Sequence, residues 1–306
     1  MKLNLPDVQK FLTGHFKTEI IKVELTGEGE WSQAFFFQEN NKDKVIRFSN
    51  LDEDFKRDQF ASNFASAKLP IPKIEEIGKA FSGYFAISSK VDGKMIDSLN
   101  QTEVQQAIPA LMDLFDSLRL SDTSKTHGFG AWDKDGNGIK SSWREFLINI
   151  TADSPFSRIN GWKEKLASNK EAFEIFNRTY QELLNIVSIC PEERHVIHND
   201  LLHFNVLVKD NKIVALIDWG CALYGDFLYD LAMFSLWQFY YPTMKDIDFN
   251  KEAQHYFAQK GVSLPHFKER LKCYQLHLAL DSMAYSAFKE NRKNMDLVIK
   301  RIKEIV

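Results

Sequence analysis

Strand-forming segments crowd into the front of this chain, and that asymmetry constrains the fold more than any other feature. Residues 20–25, 34–37 and 44–48 read as three strands, and a further pair spans 74–77 and 84–88. A helix is expected ahead of them at 8–16. Another, over 54–67, puts Phe55, Phe60, Phe64 and Ala67 on one face. Leu69-Pro70-Ile71-Pro72 ends that helix, because proline lacks the amide donor and pushes its predecessor out of helical geometry. From Ser98 onward the spacing is helical, broken only by strand-like runs at 206–208 and 213–217. Strands gathered in front of helices predict an α+β chain of two lobes. The border falls within 88–93, giving a small β-rich lobe over 1–90 and a large, mainly helical lobe over 91–306.

The densest chemistry lies in the second lobe. His198-Asn199-Asp200 is followed by Asn205 and then, past a short hairpin, by Ile217-Asp218-Trp219. Phosphoryl transfer needs this kind of set: one carboxylate beside the attacking hydroxyl, and an amide oxygen with a second carboxylate to hold magnesium on the nucleotide phosphates. Asp200 is therefore the expected catalytic residue, and Asn205 and Asp218 the expected metal ligands. The hairpin, with its turn at Asp210-Asn211, brings the last two together. A carboxylate of pKa about 3.9 does not ionise an alcohol outright; it orients the hydroxyl and takes its proton late.

The front lobe offers matching parts. Gly27, Gly29 and Ser32 lie between the first two strands, and a Phe-rich strand follows where a dinucleotide-binding turn would open a helix. A strand, glycine turn and strand forming a lid over phosphates is expected, and no Walker A sequence occurs. Alternation puts Val45 and Arg47 on one strand face, Val45 to cover a base and Arg47 to reach phosphate, with Asp58 on the next helix holding Arg47. In the aromatic run Phe234, Trp237, Phe239, Tyr240 and Tyr241, the i, i+3 pair Trp237 and Tyr240 could wall a sugar or cationic ligand.

Composition removes other classes. The 39 Lys+Arg against 42 Asp+Glu leave a net charge of −3, without the basic bias a nucleic-acid binder needs. The uncharged stretch 231–244 is shorter than the roughly 20 apolar residues of a membrane span. The charged opening MKLNLPDVQKFL is no secretion signal, and 3 well-separated cysteines suggest neither a disulfide framework nor a thiolate zinc site. A cytoplasmic protein without nucleic-acid or membrane partners is expected. Asp133 to Gly138 imitates the start of a calcium loop, but Arg144 stands where the closing Glu belongs, so a plain turn is expected. The basic stretch 289–303 contains Glu290 and Asp296 and reads as a solvated helix face.

His198-Asn199-Asp200 through Asn205, with Ile217-Asp218-Trp219 and Gly225-Asp226-Phe227-Leu228-Tyr229-Asp230-Leu231-Ala232, resembles the aminoglycoside phosphotransferase family. Phe64-Ala65-Ser66-Ala67, Gly128-Phe129-Gly130, Trp143-Arg144-Glu145-Phe146 and Cys190-Pro191-Glu192 are similar to its hygromycin B branch, so the likeness covers most of the chain. The resemblance implies a protein-kinase-like fold, ATP (or GTP) with Mg2+, and transfer of the γ-phosphoryl group to a hydroxyl of an aminoglycoside or aminocyclitol antibiotic; a monomer is expected. It implies that backbone at Ser88, Ser89 and Lys90 meets the base. It also implies that Asp226, Asp230, Trp237 and Tyr240 serve the substrate side, the two acids also buttressing the catalytic loop. Glu145 and Asp281 are further acids that could line an acidic pocket. The sequence departs from the family in Leu201-Leu202-His203-Phe204, where Leu-His-Pro-Gly is usual, and in Asn199, where a small residue is usual. These departures leave a small-metabolite kinase of the same fold (for a sugar, choline-like alcohol or nucleoside) as an alternative. A nucleotide-binding pseudoenzyme is the other, disfavoured by the presence of Asp200.

Overall fold

Asn4 starts the first helix by accepting the Asp7 amide at 2.9 Å, and Lys17 ends it in left-handed geometry. The computed structural model describes residues 2–155, 157–202 and 204–306; His203, inside the Asp200–Asn205 motif, lies outside the described residues. The helix α1 (Leu5–Phe16) precedes β1 (Val23–Glu28), β2 (Ser32–Glu39) and β3 (Lys42–Ser49). After α2 (Glu53–Ala61) come β4 (Ile74–Ala80) and β5 (Gly83–Ser89). The five strands form one antiparallel sheet in the order β1-β2-β3-β5-β4. Phe35, Phe37, Ile46, Phe48, Phe85 and Ile87 share one face and bury α1 through Val8 and Leu12. That leaves Val45 and Arg47 on the opposite face, as the alternation requires.

Two boundaries differ from expectation. The first strand begins at Val23, because Ile20 is spent as a fully buried plug under α1 while Ile21 is left 83% exposed. The second helix stops at Ala61 and tightens into a 3₁₀ turn at Ser62–Phe64. A reciprocal Ser66–Leu69 backbone turn then closes it ahead of the prolines. Phe60 and Phe64 pack on Trp132 of the large lobe, at 5.4 and 5.8 Å between ring centroids.

The large lobe opens with β6 (Lys94–Met95), the capped helix α3 (Gln101–Leu120), β7 (Phe129–Trp132), β8 (Gly138–Lys140) and α4 (Trp143–Ile148). It continues through α5 (Trp162–Ala167), α6 (Lys170–Ile186), β9 (His195–Ile197), β10 (Val206–Lys209), β11 (Lys212–Leu216) and β12 (Leu223–Gly225). Helices α7 (Leu228–Trp237), α8 (Phe249–Gln259), α9 (Phe267–Phe288) and α10 (Arg292–Ile305) complete it. The expected hairpin is present as β10 and β11, turning through left-handed Asp210 and Asn211, with β6 on its other side. A four-stranded arrangement, β8-β7-β12-β9, was not expected; its strands are three or four residues long. The Asp133–Gly138 run is the β7–β8 turn: the Asp133 carboxylate accepts the amides of Asp135 and Asn137, and Gly136 is left-handed. Helix α9 runs through the core and buries residues on every side, among them Leu271, Tyr274, Leu276, Leu280 and Met283. No helix among the described residues is long and apolar enough to cross a membrane.

Candidate active site

The short strand β9 delivers the chain into the loop 198–205, several described residues of which are fastened by hydrogen bonds to other segments. Asp230, in the first turn of α7, accepts the amides of His198 and Asn199 at 2.9 and 2.8 Å. Burial raises its pKa to about 7, against the opposing effect of those two donors. The His198 ring is completely buried, which lowers its pKa to about 4 and keeps it neutral. Its Nε2–H donates to the Ile217 carbonyl at 3.0 Å, tying the loop to the end of β11. Further along, the Tyr241 hydroxyl donates to the Leu202 carbonyl, and Asp97 accepts the Phe204 amide at 2.9 Å.

This fastening brings the three expected residues to one end of the hairpin. The Asn205 side-chain amide donates to the Asp200 carbonyl at 2.7 Å and to its carboxylate at 3.0 Å. The Asn205 carbonyl accepts the Ile217 amide at 3.0 Å, so Asn205 and Asp218 flank the same register point. Asp218 is held left-handed at φ 64°, a strained choice for a residue with a Cβ. A Cβ built on Gly220 would lie 3.4 Å from an Asp218 oxygen and 3.1 Å from one of Asp54. Asp54, on α2, therefore converges on the same spot. The thiol of Cys221 is raised well above its ordinary pKa, first by desolvation and then by Asp200, Asp218, Asp281 and Asp54. Four acids thus act on the same thiol, one of them, Asp54, paired with Arg158.

From the small lobe, Arg47 pairs with Asp58, as expected, and the guanidinium lies 5.2 Å from the Phe55 ring. The second Asp58 oxygen accepts the Trp219 amide at 2.7 Å. One buried carboxylate thus links the Arg47 strand to the residue after Asp218. Val45 is half-buried on the Arg47 face. Gly27 lies near the end of β1, opposite Ala34 after a bulge, and Gly29 sits in the β1–β2 turn, closed by a Gly29 amide to Ser32 carbonyl bond of 2.9 Å. The turn's tip reaches the large lobe: Glu30 pairs with Lys289, and the Trp31 ring lies 5.5 Å from Lys289 and 5.3 Å from Arg158. Arg158 in turn grips Asp54 with two bonds of 2.8 and 2.9 Å. Ser88 and Ser89 lie at the end of β5, and the Ser89 hydroxyl donates to Glu75. The Lys90 amide donates to the Asp43 carbonyl at 3.0 Å, so that amide is not open to a base edge.

The expected substrate acids are placed differently. Asp226 is fully buried, held by Arg270 at 2.8 and 2.7 Å and by the Tyr274 hydroxyl. Asp230 spends both oxygens on the loop amides. Neither faces a cleft, because β12 and α7 are buried along their length; both are supports and not substrate contacts. Glu145 is taken up by Ser141. Trp237 and Tyr240 do meet, 5.7 Å apart and tilted by 39°, with Tyr240 39% exposed. The residues that sequence reasoning missed are Asp54, Asp97, Arg158 and the role of Tyr241. Their contacts join segments far apart in the chain, and no local pattern marks them.

A family model for the phosphotransferase enzyme family matches residues 23–261. The chain belongs to that family. Hygromycin-B 4-O-kinase of Escherichia coli is 30% identical over 287 residues, covering 93% of this chain and 80% of that one. Aminoglycoside 3'-phosphotransferase of Enterococcus faecalis is 24% identical over 192 residues, 61% of this chain and 66% of that one. The crystal structure of a thermostable mutant of aminoglycoside phosphotransferase APH(4)-Ia, in ternary complex with AMP-PNP and hygromycin B, superposes with a TM-score of 0.86. It is 28% identical, with 98% of this chain and 97% of that one covered. Spectinomycin phosphotransferase APH(9)-Ia shares the fold at a TM-score of 0.63 and 13% identity, over 99% of this chain and 95% of that one. This phosphotransferase therefore has the two-lobed, protein-kinase-like α+β fold: a sheet-rich N-terminal region and a helical C-terminal one.

Proposed function

We propose that this phosphotransferase moves the γ-phosphoryl group of ATP (or GTP) to a hydroxyl of an aminoglycoside of the hygromycin B type. Residues 1–90 form the nucleotide side and residues 91–306 the catalytic and acceptor side. The observation that carries the proposal is the Asn205 amide bound to Asp200 at the open end of a hairpin whose other strand leads straight into Asp218. The donor set fits a magnesium ion. With its amide nitrogen committed to Asp200, Asn205 has only its side-chain oxygen to offer, and Asp218 supplies a carboxylate; both are hard oxygen ligands. Magnesium bound there would neutralise charge on the transferring phosphates.

Asp200, fixed by Asn205, orients the acceptor hydroxyl and takes its proton as the new phosphate ester forms. The neutral His198 ring and the Asp230 carboxyl keep the loop's start in place. Arg47, oriented by Asp58, directs a forked cation toward the phosphates, and the Gly27–Ser32 turn closes above them. Unpaired acid near the site suits an acceptor that is a polycation, and Asp281 is the acid proposed to meet an acceptor ammonium. Phosphorylation adds about −1.5 to −2 charge to a molecule whose own binding depends on positive charge. The test is nucleotide turnover with hygromycin B, other aminoglycosides, and a panel of sugars, choline and nucleosides, with the product identified by mass spectrometry. Phosphorylated hygromycin B is expected; selective turnover of a neutral sugar or nucleoside would overturn the acceptor class.

A further inference from the structure

Phe204 is an odd residue to find between Asp200 and Asn205. Its backbone is left-handed at φ 61°, a region that favours glycine, and the residue is 57% exposed. Phe81 provides a comparison within the same chain. It too is left-handed, at φ 52°, and 50% exposed, but its ring packs 5.7 Å from Phe11 and 5.6 Å from Phe48. Phe204 has no ring partner of this kind among the described residues.

Described residues on this stretch are nonetheless tied by hydrogen bonds. Its amide donates to Asp97 at 2.9 Å, the Leu202 carbonyl accepts from Tyr241, and Asn205 anchors Asp200. An exposed aromatic residue therefore sits next in the chain to Asn205, whose side chain holds the proposed catalytic carboxylate. We infer that Phe204 determines acceptor specificity: its ring is an apolar wall for the carbon face of a sugar or aminocyclitol ring whose hydroxyl meets Asp200. Such rings carry C–H groups on their faces and hydroxyls at their edges. A wall beside Asp200 and an edge toward it would satisfy both at once. The inference rests on the function proposed above and adds the group that orients the acceptor.

The test uses Phe204→Gly, Phe204→Tyr and, as a control for loss of a left-handed Phe, Phe81→Gly. Each is measured for hygromycin B binding by calorimetry, for steady-state turnover and for thermal stability. Phe204→Gly is expected to weaken hygromycin B binding and raise its KM about tenfold. Its melting temperature should not fall, since glycine accepts the backbone better. Phe204→Tyr keeps the ring and should keep the affinity. Phe81→Gly should melt earlier with acceptor binding unchanged. Parental hygromycin B affinity in Phe204→Gly would overturn the inference. Binding that depends on Phe204 without phosphoryl transfer would overturn the catalytic assignment alone, and no binding to the parent enzyme would overturn both.

Discussion

Asp281, on α9, is solvent-accessible yet enclosed enough that desolvation raises its pKa to about 6. Among the described residues it has neither a hydrogen-bond nor an ion-pair partner. An unpaired carboxylate in such a place costs stability once ionised. The folded chain holds its proton more tightly than the unfolded chain, where a carboxyl titrates near about 3.9. Between about pH 4 and 6 the folded state therefore binds more protons, and the contribution to stability falls as pH rises. Asp281→Asn removes that loss. Thermal melts should show the variant gaining on the parent from pH 4 to pH 7; a gap that stays constant with pH would contradict the assignment. In kinetics the same variant should raise KM for a cationic acceptor and leave KM for nucleotide alone. The buried pair Asp226–Arg270 behaves oppositely. Removing one partner strands the other's charge, so Arg270→Met should cost about 3–5 kcal/mol in urea unfolding, and Asp226→Asn with Arg270→Met should recover much of it. Equal stability of the single and double variants would show that charge pairing is not what matters there.

At the scale of elements, what was legible in the sequence is what local physics decides. The β10–β11 hairpin could be read because two apolar runs of strand length flank Asp210-Asn211, residue types that tolerate the left-handed turn. The face of β3 could be read because alternation leaves no choice once Ile46 and Phe48 are buried. Where tertiary contacts decide, the sequence was silent or misleading. Strands β7, β8, β9 and β12 are too short to show a period, and only their mutual pairing makes them strands. Asp226 and Asp230 read as acids available to substrate because the Arg270 that claims one lies 44 residues away. The amides that claim the other are likewise distant in the chain. The convergence of Asp200, Asn205 and Asp218 was visible from spacing, whereas the clamps on their loop, Asp97 and Tyr241, come from segments with no pattern of their own. The tip of the β1–β2 turn is similar: the pairing of Glu30 with Lys289 joins opposite ends of the chain. Exposed ion pairs contribute only about 0–1 kcal/mol to stability. Lys289→Ala should therefore leave the melting temperature nearly unchanged while speeding nucleotide release in stopped-flow fluorescence. An unchanged release rate would mean that this contact does not restrain the turn.

Across the whole molecule, the two lobes are joined at the site itself. Asp58 of the small lobe holds the Trp219 amide at 2.7 Å, Arg57 donates to the carbonyls of Gly220 and Trp132 at 2.9 and 3.1 Å, and Arg158 grips Asp54 from the large lobe. These contacts fix the sheet that carries Arg47 relative to the hairpin that carries Asn205 and Asp218. In the proposed function, nucleotide binding draws on groups from both lobes and acceptor activation on Asp200. Asp200→Ala tests that separation directly. Single-turnover phosphoryl transfer to hygromycin B should fall by about a thousandfold or more, while nucleotide affinity measured by calorimetry stays close to that of the parent. Transfer at the parental rate in Asp200→Ala would contradict the account.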